Sequence, residues 1–229
     1  MDSKDLLIKY MVESFDQNHP SQLKPEGKPF ITISRDHGCQ GNTLAIMLRD
    51  ELHRRGQKWN ILNKEIIKES AQLLDMEPRR VQDISESVDR TLMDEVLRTL
   101  TTKYYKSDRK IRRTVTSVIT SSAAEGNAII VGRAGAALTH GMLKSIHIKL
   151  YAPIEWRIQS LMSRYHASRE HLVKDINNID LKRHKMITSA LKNADDTNML
   201  YDIQFNTSTV SHSEIVAVVL RLIEERFKK

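Results

Sequence analysis

The sequence predicts an α/β protein in which a five-stranded parallel sheet is flanked by helices. Short apolar and β-branched runs alternate along the chain with longer segments of helical periodicity. This alternation is typical of a parallel sheet whose two faces are both covered by helices. A long helical stretch between the second and third strands, residues 63–127, is predicted to be an insertion.

The first strand, loop and helix organise the rest of the chain. Ile31 and Ile33 suit a buried strand, and the loop after them contains Gly38 and Gly41, which allow tight backbone turns. The helix that follows is indicated by apolar residues at helical spacing, namely Leu44, Met47, Leu48 and Leu52. Its first N–H groups and the positive end of its dipole face the loop, which favours an anion such as phosphate.

This loop matches the phosphate-loop pattern G-x-x-x-x-G-K-[ST] only in part. Gly41 and Thr43 occupy the second glycine and hydroxyl positions, but Asn42 stands at the lysine position and Asp36 at the first glycine. The pattern alone therefore leaves two interpretations, a degenerate phosphate loop and an ordinary strand-to-helix turn.

The other four strands are predicted where short apolar runs lie between turn and helix signals: Trp59–Leu62, Ala128–Val131, Ile146–Leu150 and Tyr201–Phe205. Asn63 and Ser168 are candidate caps for the helices that follow them, and Ser211 with Glu214 forms a capping-box pattern. Arg133 follows the third strand. Ligands of open parallel sheets bind beyond the carboxyl ends of strands, so its guanidinium is a candidate phosphate or base contact.

The chain divides into an N-terminal helix with its linker, residues 1–28, and one domain, residues 29–229. Leu7, Met11 and Phe15 follow helical spacing, and Pro20 and Pro25 mark the linker. The apolar stripe of this helix has two interpretations, packing on its own domain or a homodimer contact. The sequence therefore leaves the oligomeric state open, with a homodimer as the prediction.

Composition narrows the class of protein. The chain has 229 residues, 40% of them hydrophobic, which suffices for a substantial core, and no apolar run approaches the ~18 residues of a membrane span. Cys39 is the only cysteine, which together with the absence of a secretory pattern predicts a cytoplasmic location. The net charge of +7 favours acidic partners such as nucleotides, whereas the 5% aromatic content disfavours nucleic-acid binding.

Six short motifs, in order along the chain, resemble those of the cytidylate kinase-like family, relatives of the P-loop nucleoside monophosphate kinases. They lie at residues 33–41 (I-S-R-D-H-G-C-Q-G), 63–67 (N-K-E-I-I), 129–133 (I-I-V-G-R), 152–157 (A-P-I-E-W-R), 180–183 (D-L-K-R) and 201–207 (Y-D-I-Q-F-N-T). The resemblance covers the chain from about Pro29 to the C-terminus. It implies a P-loop NTPase-like three-layer fold, in which residues 63–127 close over the acceptor and residues 154–195 form a helical lid.

The resemblance also implies a function, ATP-dependent phosphorylation of a nucleoside monophosphate such as CMP, with Mg²⁺ bridging the donor phosphates. The implied donor-phosphate ligands are Gly38, Gly41, Asn42 and Thr43, and the Thr43 hydroxyl is the candidate metal ligand. Arg35 and Arg133 are candidates for binding the substrate. Arg157 and Arg183 are the candidate catalytic residues, because arginines of the lid stabilise the transferring phosphoryl group.

Departures from the family pattern motivate a second hypothesis, a catalytically impaired nucleotide-binding regulatory module. Asn42 lacks the charge of the usual lysine, and Asp36 adds a carboxylate near the loop. The acidic residue that follows Arg133 in closer cytidylate kinases is Ala134 here, which leaves base recognition open. Arg35 and Lys64 are the nearest candidates to replace the lysine, and the sequence does not choose between them.

Overall fold

Five parallel strands form a sheet in the computed structural model, which describes residues 27–86, 108–191 and 197–227. The strands are β1 (Phe30–Arg35), β2 (Asn60–Leu62), β3 (Ala128–Val131), β4 (Ser145–Tyr151) and β5 (Ile203–Asn206). Their order in the sheet is β2-β3-β1-β4-β5, so β1 lies at the centre and pairs with β3 and β4. The carboxyl end of β1 therefore opens between the ends of two neighbouring strands.

Helices connect the strands and cover both faces of the sheet. They are α1 (Gly41–Arg54), α2 (Lys64–Leu74), α3 (Pro78–Glu86), α4 (Asp108–Glu125), α5 (Gly135–Leu138), α6 (Ile154–Met162), α7 (Arg169–Ala190) and α8 (His212–Arg226), with a short 3₁₀ helix at Thr197–Leu200. The predicted α/β class, with five parallel strands flanked by helices, is confirmed. None of the helices in the described ranges combines the length and apolar character needed to cross a membrane.

Successive side chains of β1 point to opposite faces of the sheet and belong to two separate hydrophobic cores. Ile31 and Ile33 are fully buried on the face covered by α1 and α8, where they meet Leu44 and Ile215. Phe30 belongs to the core on the opposite face, which is built mainly from the insertion and includes Ile66, Ile111, Ile119 and Ile130. Because side chains alternate across a strand, burial on both faces explains why this strand is apolar almost throughout.

The predicted element boundaries need small corrections. The second strand begins at Asn60, while Trp59 is buried in the first core, and the fifth strand begins at Ile203. In the predicted insertion, α2 ends where Asp75 adopts a left-handed conformation with φ 48°, three residues before Pro78. The predicted helix at residues 2–15 and the linker up to residue 26 lie outside the described residues.

Of the three helix caps predicted from the sequence, two are present in the structure and one is not. The Ser211 hydroxyl accepts the Glu214 N–H and the Glu214 carboxylate accepts the Ser211 N–H, so the predicted capping box is present. Ser168 caps α7 by accepting the His171 N–H. Asn63 precedes α2 but makes no side-chain cap; its amide instead donates to the Asn42 side chain at 2.9 Å.

Candidate functional site

The loop between β1 and α1, residues 36–40, turns tightly at the carboxyl edge of the sheet. Gly38 has φ +98°, and Gln40 is left-handed with φ 55° directly before α1 begins at Gly41. The His37 N–H donates to the Asp180 carboxylate, with 2.7 Å between nitrogen and oxygen. The loop therefore already binds an anionic group through its main chain, although that group belongs to α7 of the same chain.

Gly38 is required by a contact with α6. A β-carbon at this position would lie 2.9 Å from the β-carbon of Arg157, closer than real side chains approach. The Ser160 hydroxyl, also on α6, donates to the Gly38 carbonyl at 3.0 Å and accepts from the Gln40 side chain at 3.0 Å. Together these contacts hold one side of the loop directly against α6.

Asp180 lies between two arginines. Arg157 donates to its carboxylate at 2.5 Å and to the carbonyls of Ala152 and His37 at 3.0 and 3.3 Å. Arg183, one turn further along α7, has its guanidinium 3.8 Å from the same carboxylate and donates to the Arg35 carbonyl at 3.1 Å. The two predicted catalytic arginines therefore meet at the loop, and a carboxylate joins them.

A strained turn after β3 directs a further arginine to the same edge. Gly132, Arg133 and Ala134 all have positive φ, at 77°, 56° and 53°. Non-glycine residues held in this region cost about 1 to 3 kcal/mol each, and such strain is concentrated at functional sites. Arg133 pairs with Glu86 of α3 at 2.8 Å, and its guanidinium lies 3.4 Å from the Ser85 hydroxyl.

A cavity of about 290 Å³ opens between the ends of β1 and β3 and the side of α7. Four cationic side chains line it, namely Arg35, Arg133, Lys182 and Arg183, together with the carboxylate of Glu86. Asn63 and Ser34 add polar groups, and Ile179, Met186 and Ile187 form an apolar wall on α7. The cavity thus combines positive charge with an apolar wall.

Burial and interactions between like charges shift the pKa values of several charged groups in the site. The pKa of Arg35 is lowered to about 9, first by burial and then by the neighbouring Arg183 and Arg133. Burial likewise lowers the pKa of Arg183, and the pKa of Asp36 is raised by burial and by Asp180. Because these clustered cations repel one another, an anion bound among them would stabilise the site.

The start of α1 holds the predicted metal ligand and the residue at the lysine position. Asn42 and Thr43 are both exposed, and the Asn42 oxygen accepts from Asn63. Lys64 lines the same open groove as Asn42, whereas Arg35 lines the cavity and has its stem beside Gly41. Both candidates to replace the lysine therefore lie near the start of α1. No group of three or more metal-ligating side chains occurs in the described ranges.

Sequence reasoning assigned no role to four residues that the structure brings to the site: Glu86, Ser160, Asp180 and Lys182. Asp180 carried a usable signal, because a residue three positions before Arg183 on a helix shares its face. Glu86 and Ser160 carried none, since only the folded chain brings their helices to the loop and the cavity. Cys39 is fully buried and burial raises its pKa to about 11, which does not favour a reactive thiol.

Solved structures resemble this fold at low sequence identity. An uncharacterized protein from Eubacterium ventriosum ATCC 27560 matches with a TM-score of 0.63 and 15% identity, covering 87% of this chain and 100% of that chain. TT1252 from Thermus thermophilus matches at 0.40 and 15%, covering 87% and 98%. A chain of the PezAT chromosomal toxin-antitoxin system of Streptococcus pneumoniae matches at 0.35 and 14%, covering 100% and 98%. The fold likeness is based on the first of these three.

Sequence comparison identifies the family. A search of curated proteins gave no match. The family model described as the cytidylate kinase-like family matches residues 30–209, which contain the loop, the cavity residues, Arg157 and Arg183. This match extends over well more than half of the chain and confirms the resemblance inferred from the six motifs. The chain belongs to the cytidylate kinase-like family.

Proposed function

We propose that the chain transfers the terminal phosphoryl group of ATP to a nucleoside monophosphate, with CMP as the first acceptor to test. The observation that carries the proposal is the adjacency of two anion-binding features at one edge of the sheet. One is the β1–α1 loop, whose His37 N–H holds a carboxylate, and the other is the cavity with four cationic side chains. Phosphoryl transfer requires two phosphate groups held side by side.

The donor phosphates belong on the loop. Gly38, Gly41 and Asn42 lie where main-chain N–H groups and the start of α1 meet, and the carboxylate of Asp180 shows that an anionic oxygen fits there. Mg²⁺ carried with ATP would be held by the exposed hydroxyl of Thr43, since a hydroxyl oxygen suits this metal. The metal would neutralise charge on the donor phosphates, while the protein supplies their position.

The acceptor phosphate belongs in the cavity, on Arg35 and Arg133. The volume of the cavity, about 290 Å³, is at the lower end of the range for ligand pockets, ~300–1,000 Å³. A phosphate and part of the sugar attached to it would therefore fill the cavity. The Arg133–Glu86 pair connects the cavity wall to α3, which belongs to the insertion expected to close over the acceptor. Binding by planar guanidinium groups gives a phosphate two parallel hydrogen bonds.

Arg157 and Arg183 lie between the two phosphate positions. Arg183 lines the cavity and also contacts the main chain at the end of β1, while Arg157 contacts the loop itself. From these places their charges can stabilise the phosphoryl group as it moves from donor to acceptor. The chemistry asked of the protein is therefore positioning and charge stabilisation, without a covalent intermediate.

A second candidate function is a nucleotide-binding regulatory module without turnover. Two observations favour it: Asn42 provides no positive charge at the start of α1, and a carboxylate of the chain already occupies the His37 N–H. A hydrogen bond to a charged group contributes ~1.5 to 3 kcal/mol, so the missing lysine corresponds to roughly a ten- to hundredfold slower reaction.

The deciding experiment is an assay of nucleoside monophosphates with ATP and Mg²⁺, in which formation of the nucleoside diphosphate is measured. Kinase activity predicts product from at least one acceptor and its loss in Arg133→Met. If no acceptor yields product but calorimetry shows nucleotide binding, the regulatory module is the correct function. In an active enzyme Asn42→Lys is expected to raise kcat; a decrease would show that α1 does not hold the donor phosphates as proposed.

A further inference from the structure

The contact between Asp180 and the loop has a functional meaning beyond the binding roles proposed above. We infer that Asp180 is a positioning residue that occupies the donor-phosphate position in the nucleotide-free chain and must leave it when the donor binds. The inference rests on the proposed function for the identity of the donor, but the contact itself is observed. It makes the lid helices α6 and α7 a closed, self-blocked arrangement in the free protein.

The geometry of the carboxylate matches that of a bound phosphate oxygen. One oxygen accepts the His37 N–H at 2.7 Å, and the other accepts from Arg157 at 2.5 Å. These are a main-chain donor of the loop and an arginine of the lid, the two kinds of donor that a transferring phosphoryl group would use. A phosphate and the Asp180 carboxylate therefore compete for the same donors.

Repulsion between carboxylates of the site and an incoming polyphosphate reinforces the competition between Asp180 and the donor. Asp36 lies close enough to Asp180 for the two carboxylates to interact, since Asp180 contributes to raising the pKa of Asp36. A polyphosphate arriving at the loop would meet both negative charges at short range, where the low dielectric of a half-buried site strengthens repulsion. Donor binding is thus coupled to displacement of α7 from the loop.

The attachment of the lid allows such a displacement. The apolar cluster that joins α6 to α7, built from Ile158, Leu161, Leu172 and Ile176, is separate from the two main cores. The later part of α7 packs on Ala134 and Ala137 through Met186 and Ile187. Between these apolar contacts, α7 meets the loop through Asp180 and meets the end of β1 through Arg183. Polar contacts of this kind can exchange with a ligand without exposing a core.

When Asp180 leaves the loop, its carboxylate can pair with Arg183, which lies on the same face of α7. The two side chains are three residues apart on α7 and 3.8 Å apart in the free chain. Arg157 is then released from its ion pair and becomes available to the donor. Asp180 would in this way couple arrival of the donor to the freeing of a catalytic arginine.

The test uses the full chain and tripolyphosphate alone as the probe, with affinity measured by calorimetry. Asp180→Asn keeps the shape of the side chain but removes the competing charge, so we expect tripolyphosphate to bind about tenfold more tightly. Glu170→Gln removes the same charge from α7 at an exposed residue beside Ser168 and Arg169, and should leave the affinity within twofold. Unchanged or weaker binding by Asp180→Asn, or equal tightening by both variants, would overturn the inference.

A second measurement separates this inference from the proposed function. Amide hydrogen exchange at His37 in the free chain should be protected in the wild type and at least tenfold faster in Asp180→Ala. Equal exchange in the two proteins would show that Asp180 does not occupy the loop, whatever the ligand. Faster exchange without tripolyphosphate or ATP binding to any variant would instead refute the donor site, and with it the kinase proposal and the competition.

Discussion

Replacing Arg35 by methionine should stabilise the fold and abolish anion binding at the cavity. Arg35 is held beside Arg133 and Arg183, and Asp180 compensates only part of this repulsion. A bound phosphate would supply the missing negative charge, but the free chain carries the cost of the cluster. Methionine keeps the apolar stem of the side chain, and the Arg35 carbonyl that accepts from Arg183 belongs to the main chain and is retained.

The magnitude follows from the pKa of Arg35. A lowering of the pKa from the ordinary value of arginine to about 9 corresponds to about 5 kcal/mol by which burial and like charges disfavour the charged form. At pH 7 the side chain is charged in both folded and unfolded chains, so the whole cost acts against folding. Because side chains and water rearrange around the charge, we expect the variant to gain about 1 to 3 kcal/mol in the free energy of unfolding.

The assay is urea unfolding at pH 7 in low salt, repeated with added sulfate. Sulfate should stabilise the wild type by binding the folded chain and should have a much smaller effect on Arg35→Met. The stability difference should also shrink as pH rises above about 9. There the folded wild type begins to lose a proton that the unfolded chain still retains, so the stability of the wild type rises relative to that of the variant.

Arg49→Met serves as the control, because Arg49 pairs with Asp50 on the exposed side of α1 and should change stability by less than about 0.5 kcal/mol. The reasoning is refuted if Arg35→Met is less stable than the wild type by more than this margin. It is also refuted if sulfate stabilises the variant as strongly as the wild type, since the cavity would then bind anions without Arg35.

Three further predictions concern other parts of the fold. His147 is 5% exposed, bonds to Thr32 at 2.8 Å, and has its pKa lowered to about 4 mainly by burial. The free energy of unfolding should therefore fall by about 3 kcal/mol as pH drops from 6.5 towards 4, because the unfolded chain takes up the proton first. Urea unfolding of His147→Gln should show a weaker fall. An equal fall in both proteins would refute the attribution of this pH dependence to His147. Cys39, with its pKa raised to about 11, should resist a thiol reagent at pH 8 in the folded chain and react once urea unfolds it; fast reaction in the folded chain would contradict its burial. In Gly132→Ala the new β-carbon would collide with the Arg35 guanidinium, so calorimetry should show weaker phosphate binding. Gly56→Ala has a similar φ but open space, and it should leave that binding unchanged while sharing a backbone cost of about 1 kcal/mol.

The sequence by itself determined where the strands of the parallel sheet lie along the chain. Apolar runs at Phe30–Ile33, Ala128–Val131 and Ile146–Leu150 became β1, β3 and β4, because burial on both faces leaves continuous apolar stretches in parallel strands. The capping box at Ser211 and the cap at Ser168 were also predicted, since the groups that form them lie within three residues of each other.

Only the tertiary structure decided how the charged groups are divided between the loop and the cavity. Arg35 is the last residue of β1, yet its side chain lies against Gly132 after β3, because β1 and β3 are neighbours in the sheet. The partner of His37 is 143 residues away on α7. Local periodicity carries information about neighbours along one element, whereas these contacts depend on which elements pack together. The sequence supplied the arginines, and the packing of α7 over the sheet edge determined that a carboxylate lies among them.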